Sequence, residues 1–254
     1  MNPGQSNQGR SSGTQPAGTH SEQEAAENVR AMFGRIAPRY DLLNHLLSGS
    51  LDRVWRARTA RRFAHILGRP GARVLDLCCG TGDLTLALGK AGRNCRIVGS
   101  DFAHPMLTRA LEKTQRAAGQ TLYVEADALT MPFVEGSFDL ITTAFGFRNL
   151  ANYERGLAEI RRLLGPGGEV GLLEFCEPSG RLIGPLYRAY FRHVLPRIGG
   201  SISGDAAAYE YLPASVARFP EPEDLTGQME RAGFRSVTFV RWSWGTVALH
   251  TARK

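Results

Sequence analysis

The sequence predicts an α/β fold built on a mostly parallel, doubly wound sheet with an antiparallel C-terminal strand. After residue 71, short apolar runs with the length of buried strands alternate with helix-like stretches, as in right-handed βαβ units. The predicted strands cover residues 73–77, 95–101, 121–127, 138–144 and 168–175, and the helices between them cover 83–91, 104–118 and 152–164. Two final strand-like stretches, 236–242 and 246–252, flank a turn and predict the antiparallel finish.

Composition divides the 254 residues into three regions. Residues 1–20 contain no Val, Ile, Leu, Phe, Tyr or Trp, so they predict a disordered tail. Residues 21–70 carry helical patterns that open with Ser21 and Glu24 at capping-box spacing, and they predict a helical N-terminal cap. Residues 71–254 then form the α/β domain.

The charge and cysteine content narrow the class of protein. Thirty-one basic residues against twenty-four acidic ones give a net charge of +7, which favours anionic partners, although Arg richness can equally reflect genome composition. No apolar run approaches the roughly 18 residues of a membrane-spanning helix. The four cysteines lack metal-ligand spacing, so we predict no metal site and reduced thiols, as in the cytoplasm.

A glycine-rich turn follows the first predicted strand, over residues 76–83. Nucleotides bind at this turn in doubly wound sheets. A dinucleotide site would need glycine where Thr85 stands, and Asp83 places a negative charge where a pyrophosphate would sit. The turn suits a ligand that carries an ammonium and a sulfonium instead, namely S-adenosylmethionine, with Asp76 providing negative potential.

Acidic residues also end the next two predicted strands. Asp101 can accept hydrogen bonds from the ribose hydroxyls, and Phe102 can contact adenine. The segment Asp127-Ala128 can accept a hydrogen bond from the adenine amino group. Each acid alone could equally be a helix N-cap, but their combination favours a class I, Rossmann-like S-adenosylmethionine-dependent methyltransferase. The predicted cofactor-binding residues are Asp76, Gly80, Thr81, Gly82, Asp101, Phe102, Asp127, Ala128 and Ala144.

The segment after the fourth predicted strand bears on the methyl acceptor. Methylases of exocyclic amines in nucleic acid carry N-P-P-Y or D-P-P-Y there, whereas this chain has Thr142-Thr143-Ala144-Phe145-Gly146-Phe147-Arg148-Asn149-Leu150. We therefore expect no nucleic-acid substrate.

Several segments resemble the ubiquinone/menaquinone biosynthesis C-methyltransferase family (UbiE/MenG). They are Tyr40-Asp41-Leu42-Leu43-Asn44, Gly146-Phe147-Arg148-Asn149, and the stretches 162–168 and 173–175, within a match over roughly residues 28–250. The chain departs from the family at three places. The first signature, which includes residues 40–44, usually has His where Asp52 stands, and the second, residues 162–168, usually has Lys where Gly165 stands. The pair Cys78-Cys79 replaces the small residues that usually precede Gly80.

The resemblance implies C-methylation of a polyprenylated hydroquinone, most directly demethylmenaquinol to menaquinol, and also of the benzoquinol precursor of ubiquinone. Two alternatives stay open at this point. One is a methyltransferase for another phenolic or lipid molecule, and the other is a non-catalytic cofactor-binding or RNA-associated accessory protein.

An aromatic ring carbon is a poor nucleophile until its hydroxyl loses a proton, so the site must stabilise a phenolate. Arg148 is the first candidate, as a cation near the phenolate or the organiser of a deprotonating water, with an ion pair as the structural alternative. Asn149 can fix the ring oxygen or serve a turn. Tyr40 and Asp41 lie in the cap that should close over the acceptor.

Residues 181–200 form a basic, aromatic-rich stretch without an acidic residue. This pattern predicts peripheral contact with an anionic membrane, at the inner face of the cytoplasmic membrane, or an ordinary packed helix with a solvated face. A homodimer is equally compatible with the sequence.

Overall fold

A computed structural model describes residues 13–16, 18–117, 121–178, 184 and 206–254. Seven strands form one sheet: β1 (Arg73–Leu77), β2 (Arg96–Asp101), β3 (Thr121–Glu125), β4 (Phe138–Ala144), β5 (Leu164–Phe175), β6 (Arg235–Trp242) and β7 (Val247–Arg253). Their order is β3-β2-β1-β4-β5-β7-β6. The first five strands are parallel, and β7 pairs antiparallel with both β5 and β6. The predicted fold class is confirmed.

The strand order reverses at β1, which lies between β2 and β4. In doubly wound sheets this reversal opens a crevice at the carboxyl ends of the strands, because the connections on its two sides run to opposite faces. The glycine-rich turn after β1 lies at this crevice.

Helices cover both faces of the sheet. In chain order they are α1 (Glu22–Ile36), α2 (Tyr40–Leu47), α3 (Leu51–Arg62), α4 (Ala64–Leu67), α5 (Asp83–Ala91), α6 (His104–Arg116), α7 (Tyr153–Leu163), α8 (Ala206–Arg218) and α9 (Pro222–Arg231). One core joins α7 and α9 to the sheet through Leu157, Ile160 and Leu225, and a second packs Phe63 and Leu88 against the other side. The central strands are buried on both faces, as their continuous apolar sequence requires.

The first helix begins where its capping signal predicts. The Ser21 side chain accepts a hydrogen bond from the Glu24 N–H at 3.1 Å, and the Glu24 carboxylate accepts one from the His20 N–H at 2.7 Å. The helix ends at Ile36, and a 3₁₀ turn containing Pro38 leads into α2. The helices α2 and α3 follow directly and, together with α1, form the cap beside the crevice.

Part of the predicted disordered tail makes defined contacts. The Thr14 N–H donates to the Leu150 carbonyl at 2.8 Å, the Thr14 hydroxyl bonds with that of Tyr211 at 2.8 Å, and Arg218 donates to the Gln15 carbonyl. Two of these bonds use backbone groups and the third joins two hydroxyls, none of which composition reveals, so residues 13–16 differ from the expectation. Residues 1–12 lie outside the described residues, and the three-region division stays a prediction.

Two predictions concern membrane contact. Apart from Gly184, the basic stretch 181–200 lies outside the described residues. In the part of the chain that is described, no helix combines the length and the apolar character needed to cross a bilayer.

Candidate active site

A cavity of about 900 Å³, partly open to solvent, lies at the carboxyl ends of β1, β2, β3 and β4. The glycine-rich turn and the strand ends form its floor, and the cap adds Phe33, Tyr40 and Arg56. The lining includes every predicted site residue except Asp41, Gly82 and Arg148.

The glycine-rich turn takes a tight path that L-residues rarely adopt. Cys78, Gly80 and Gly82 have φ values of 53°, 55° and 82°. A Cβ on Gly82 would come within 2.9 Å of the Tyr123 hydroxyl, so both conformation and space require glycine at the start of α5. The turn thereby brings backbone to the cavity where a side chain would block it.

Asp101 fixes the turn to the end of β2. Its carboxylate accepts hydrogen bonds from the N–H groups of Gly80 and Ala103, each at 2.9 Å. Burial raises the pKa of Asp101 to about 6, against the lowering effect of these backbone bonds. Each carboxylate oxygen has further lone pairs, so the group can still accept ribose hydroxyls as predicted.

Asp76 is wholly buried beneath the turn. Its carboxyl accepts hydrogen bonds from the hydroxyls of Thr85 at 2.5 Å and Thr142 at 3.4 Å. Burial raises the pKa of Asp76 to about 7, more than these bonds lower it. A carboxyl in this state gains its charge most readily when a cation binds beside it.

The remaining predicted cofactor residues lie along one side of the cavity. Phe102 and Ala144 are partly buried, Ala128 is buried, and Asp127 is exposed at the rim. The Asp127 carboxylate accepts a hydrogen bond from the Leu129 N–H at 2.9 Å, so it also caps a turn.

The acidic side chains that line the cavity fit a cationic nucleoside better than a phosphate ester. Three strand-end acids line the cavity, and Asp83 adds a fourth at the N-terminus of α5, where a phosphate would otherwise bind. Asp76 and Asp101, both buried with raised pKa values, would be stabilised as anions by a sulfonium and an ammonium.

Arg148 lies behind the cavity wall, where it is 4% exposed. Its Nη1 donates to Glu174 Oε2 at 2.8 Å, and its backbone N–H donates to Glu174 Oε1 at 3.1 Å. Burial alone would lower the pKa of Arg148, but the Glu174 carboxylate outweighs it and the pKa is raised. Arg148 therefore keeps its charge as half of a buried ion pair, and direct contact with the acceptor stays a hypothesis.

The same guanidinium holds the turn after β4. Nη1 of Arg148 and Nδ2 of Asn149 both donate to the Phe145 carbonyl, at 2.5 and 3.3 Å. Phe145 has a φ of 63°, which a bulky residue avoids unless its surroundings impose it. Gly146 allows the turn to approach the glycine loop, because a Cβ there would lie 2.4 Å from that of Cys78.

Asn149 presents its amide to the cavity from this turn. The Tyr211 hydroxyl donates to Asn149 Oδ1 at 3.0 Å. One amide hydrogen and one oxygen lone pair remain for a ligand. The predicted role in fixing a ring oxygen is therefore compatible with the geometry, as is a turn role.

Tyr40 places a phenol in the wall of the same cavity. Burial raises the pKa of Tyr40, and the positive charges of Arg148 and Arg56 partly offset this. The ring of Phe33 meets Tyr40 edge-on with centroids 6.0 Å apart. Tyr40 is thus a neutral hydrogen-bonding group in a region of positive potential.

Asp41 faces the glycine-rich turn instead of the cavity. It accepts a hydrogen bond from the Thr81 hydroxyl and pairs with Lys113 at 2.8 Å. Lys113 also pairs with Asp83, so one ammonium joins α2 to the N-terminus of α5. We call the three side chains Asp41, Lys113 and Asp83 the cap latch.

Three residues of the site were not singled out from the sequence: Arg56, Lys113 and Glu174. The sequence does contain a signal for Glu174: it is an acid near the end of an apolar strand, where a buried charge needs a partner. Lys113 is one of only three lysines in the chain but gave no spacing signal.

Among the described residues, His45, Asp52 and Asp83 place ligand atoms within 4.8 Å of one another. Arg56 pairs with Asp52, and Lys113 pairs with Asp83. These cations already balance the carboxylates, and we assign no metal to the group.

The comparisons with known proteins identify the family of the chain. The model of the ubiE/COQ5 methyltransferase family matches residues 19–254. A demethylmenaquinone methyltransferase of Deinococcus radiodurans is 48% identical over 215 residues, which are 85% of this chain and 88% of the relative. One of Thermus thermophilus is 48% identical over 219 residues, which are 86% of this chain and 98% of the relative.

A solved S-adenosylmethionine-dependent methyltransferase of Aquifex aeolicus has the same fold, with a TM-score of 0.60 and 17% identity over 84% of this chain and 97% of that one. Since the family model spans nearly the whole chain and the relatives exceed 40% identity, the chain belongs to the ubiE/COQ5 methyltransferase family.

Proposed function

We propose that the chain transfers a methyl group from S-adenosylmethionine to a ring carbon of a polyprenylated hydroquinone, converting demethylmenaquinol to menaquinol. The same chemistry would serve the benzoquinol precursor of ubiquinone. One observation carries the proposal: a single cavity joins the strand-end acids to a wall made by Tyr40 and Asn149. The two nearly full-length relatives named for this reaction support the choice of acceptor.

The acidic half of the cavity would hold the cofactor. S-adenosylmethionine, when bound, supplies an electrophilic methyl group. Asp101 would accept from its ribose, Asp127 and Phe102 would contact the adenine, and Asp76 would provide negative potential for its cationic groups. Gly80 and Gly82 let the backbone approach without a side chain between.

The other half would hold the hydroquinone. The acceptor carbon becomes nucleophilic once the neighbouring hydroxyl is deprotonated, so the protein must favour the phenolate. Arg56 lines the cavity, and Arg148 lies behind it with a fixed charge. The charges of both arginines act to lower the pKa of Tyr40, so positive potential reaches the part of the cavity wall that Tyr40 forms. The Asn149 amide can hold that oxygen.

We further propose that the chain is cytoplasmic and meets its acceptor as a peripheral protein at the inner face of the membrane. The basic, aromatic sequence of residues 181–200 supports contact with anionic lipid there. A homodimer remains a hypothesis, which sedimentation of the purified chain would test.

The decisive experiment supplies the purified chain with methyl-labelled S-adenosylmethionine and a reduced demethylmenaquinol. We expect label on the ring carbon, identified by nuclear magnetic resonance of the product. Transfer to an oxygen, or to another phenol in preference, would overturn the assignment. The variant Asp101→Asn should weaken cofactor binding and serves as the internal control.

A further inference from the structure

The outer surface of the cap helices is unusually apolar. Leu42 is 61% exposed, and Leu46, Leu51 and Val54 are exposed as well. Leu42 and Leu46 are four residues apart on α2, and Leu51 and Val54 are three apart on α3, so each pair lies on one helix face. Isolated exposed apolar residues are ordinary, but a group on two consecutive helices indicates a contact surface.

An exposed tryptophan lies next to these helices. Trp244 is 78% exposed and has a φ of 56°, a conformation that bulky residues avoid. Its turn is fastened to α3, because Trp55 Nε1 donates to Ser243 Oγ at 2.8 Å and the Arg58 guanidinium lies 6.0 Å from the Trp242 ring. The fold thus holds an indole out into solvent beside the cap.

The exposed charge on helices α2 and α3 has one sign. Between residues 40 and 62 the only acids are Asp41 and Asp52. Asp52 is buried against Arg56, and Asp41 is engaged by the cap latch. The exposed charged residues of this stretch are all arginines: Arg53, Arg58, Arg61 and Arg62.

We propose that Leu42, Leu46, Leu51, Val54 and Trp244, with these arginines, form a docking surface for an anionic lipid bilayer. Apolar side chains with a tryptophan enter the interface, while arginines bind anionic headgroups. The inner sides of the same helices contribute Tyr40 and Arg56 to the cavity. Docking would therefore bring the active site to within about one helix diameter, roughly 10 Å, of the lipid.

This inference rests on the proposed function, because a polyprenylated acceptor keeps its tail in the bilayer while its ring must reach the cavity. A surface beside the cap would let the ring enter without the tail leaving the lipid.

The test is vesicle flotation of the full chain at low salt. The surface variant combines Leu42→Gln, Leu46→Gln, Val54→Thr and Trp244→Gly; glycine at 244 accepts the local φ. The matched control combines Leu122→Gln and Val134→Thr, which replace apolar residues that are 72% and 78% exposed outside the cap. We expect wild type and control to float with phosphatidylglycerol vesicles, and the bound fraction of the surface variant to fall about tenfold.

Absence of flotation by wild type, or equal flotation by the surface variant, would overturn the proposal. Loss of a wild-type dimer in that variant, without loss of flotation, would assign the surface to a second copy and also overturn it. Retained S-adenosylmethionine binding shows that the variant folds.

Turnover separates this proposal from the proposed function. With a short-chain, water-soluble hydroquinone, surface variant and wild type should have equal rates, whereas with acceptor embedded in vesicles the variant should lose most of its rate. Failure of wild type to methylate either acceptor would refute the proposed function, while the flotation result would still decide the docking surface.

Discussion

At the scale of single residues, the site depends on charges that the protein buries and then balances. Arg148 and Glu174 are both nearly inaccessible and hold each other at 2.8 Å. Asp76 is equally buried, but within the described part of the chain no cation pairs with it, and two threonine hydroxyls hold it. Arg148 and Glu174 keep their charges without a ligand, whereas Asp76 is stabilised as an anion only when a cation binds beside it.

Removing one member of the buried pair should be costly. Glu174→Gln leaves the Arg148 guanidinium without its counter-ion, and the loss in unfolding free energy should be about 3–5 kcal/mol. Denaturant unfolding of Glu174→Gln, Arg148→Met and the double variant would measure this, with the double variant losing less than the sum. Arg155→Ala, which breaks an exposed pair with Glu22, should lose no more than about 1 kcal/mol. Equal losses for the two kinds of pair would contradict the assignment.

The pH dependence of cofactor affinity should report on Asp76. Its pKa of about 7 in the empty site means that a cationic ligand must displace a proton at lower pH. Affinity should therefore rise with pH and level off above about pH 7, with a fall of about tenfold per pH unit below it. Asp101, with a pKa of about 6, adds a second component at lower pH. Calorimetric titration at several pH values would check this, and Asp76→Asn should abolish the component near pH 7. A flat profile in wild type would exclude Asp76 as the responsive group.

At the scale of elements, the cap is connected to the cofactor turn by the cap latch. Lys113 on α6 pairs with Asp41 on α2 and Asp83 on α5. Without the ammonium, the two carboxylates would face each other uncompensated. The position of α2 over the turn therefore depends on one side chain from a third helix as well as on the hydrogen bond from Thr81 to Asp41.

Lys113→Met should loosen α2 specifically. Hydrogen bonds to charged groups contribute to the free energy that holds α2 closed. Without them, amide-exchange protection of residues 40–47 should fall roughly tenfold, and the cofactor should be released faster. Hydrogen-exchange mass spectrometry and stopped-flow release would measure the two effects. Lys90→Met, at an exposed lysine of α5, is the control and should leave both unchanged. Unaltered protection in Lys113→Met would mean that the latch does not hold the cap.

The elements themselves were largely predictable. Strands β1 and β4 and helix α5 have the predicted bounds, because apolar runs and a glycine turn delimit them locally. Strand β5 begins at Leu164 instead of residue 168. A register shift against β4 allows the glycine-containing residues 165–168 to continue the strand. The strand-end acids followed from the same local patterns. Glu174 as the partner of Arg148 did not, because their meeting depends on the register between β4 and β5.

At the scale of the whole molecule, the buried Asp76 carboxyl should cost stability near neutral pH, and a bound cation should restore it. A group whose pKa is raised by folding stabilises the native state below its unfolded pKa and loses this contribution as pH rises through the folded pKa. For Asp76 the contribution is lost between about pH 4 and pH 7 and is on the order of 4 kcal/mol.

The ligand-free chain should therefore gain from Asp76→Asn at pH 8 and lose that advantage by pH 4. Thermal unfolding across this range would check it. Addition of S-adenosylmethionine should raise the wild-type Tm more at pH 8 than at pH 6, whereas in the variant the rise should be nearly the same at both pH values. A variant that responds to the cofactor as wild type does would contradict the linkage.

The place of β7 has a consequence for synthesis. Among the described residues, β7 lies between β5 and β6, and β6 pairs with no other strand. A nascent chain can thus assemble the parallel strands but cannot attach β6 until residues 247–253 are free to pair. Until then, the edge of β5 that β7 covers stays open to pairing with other nascent proteins.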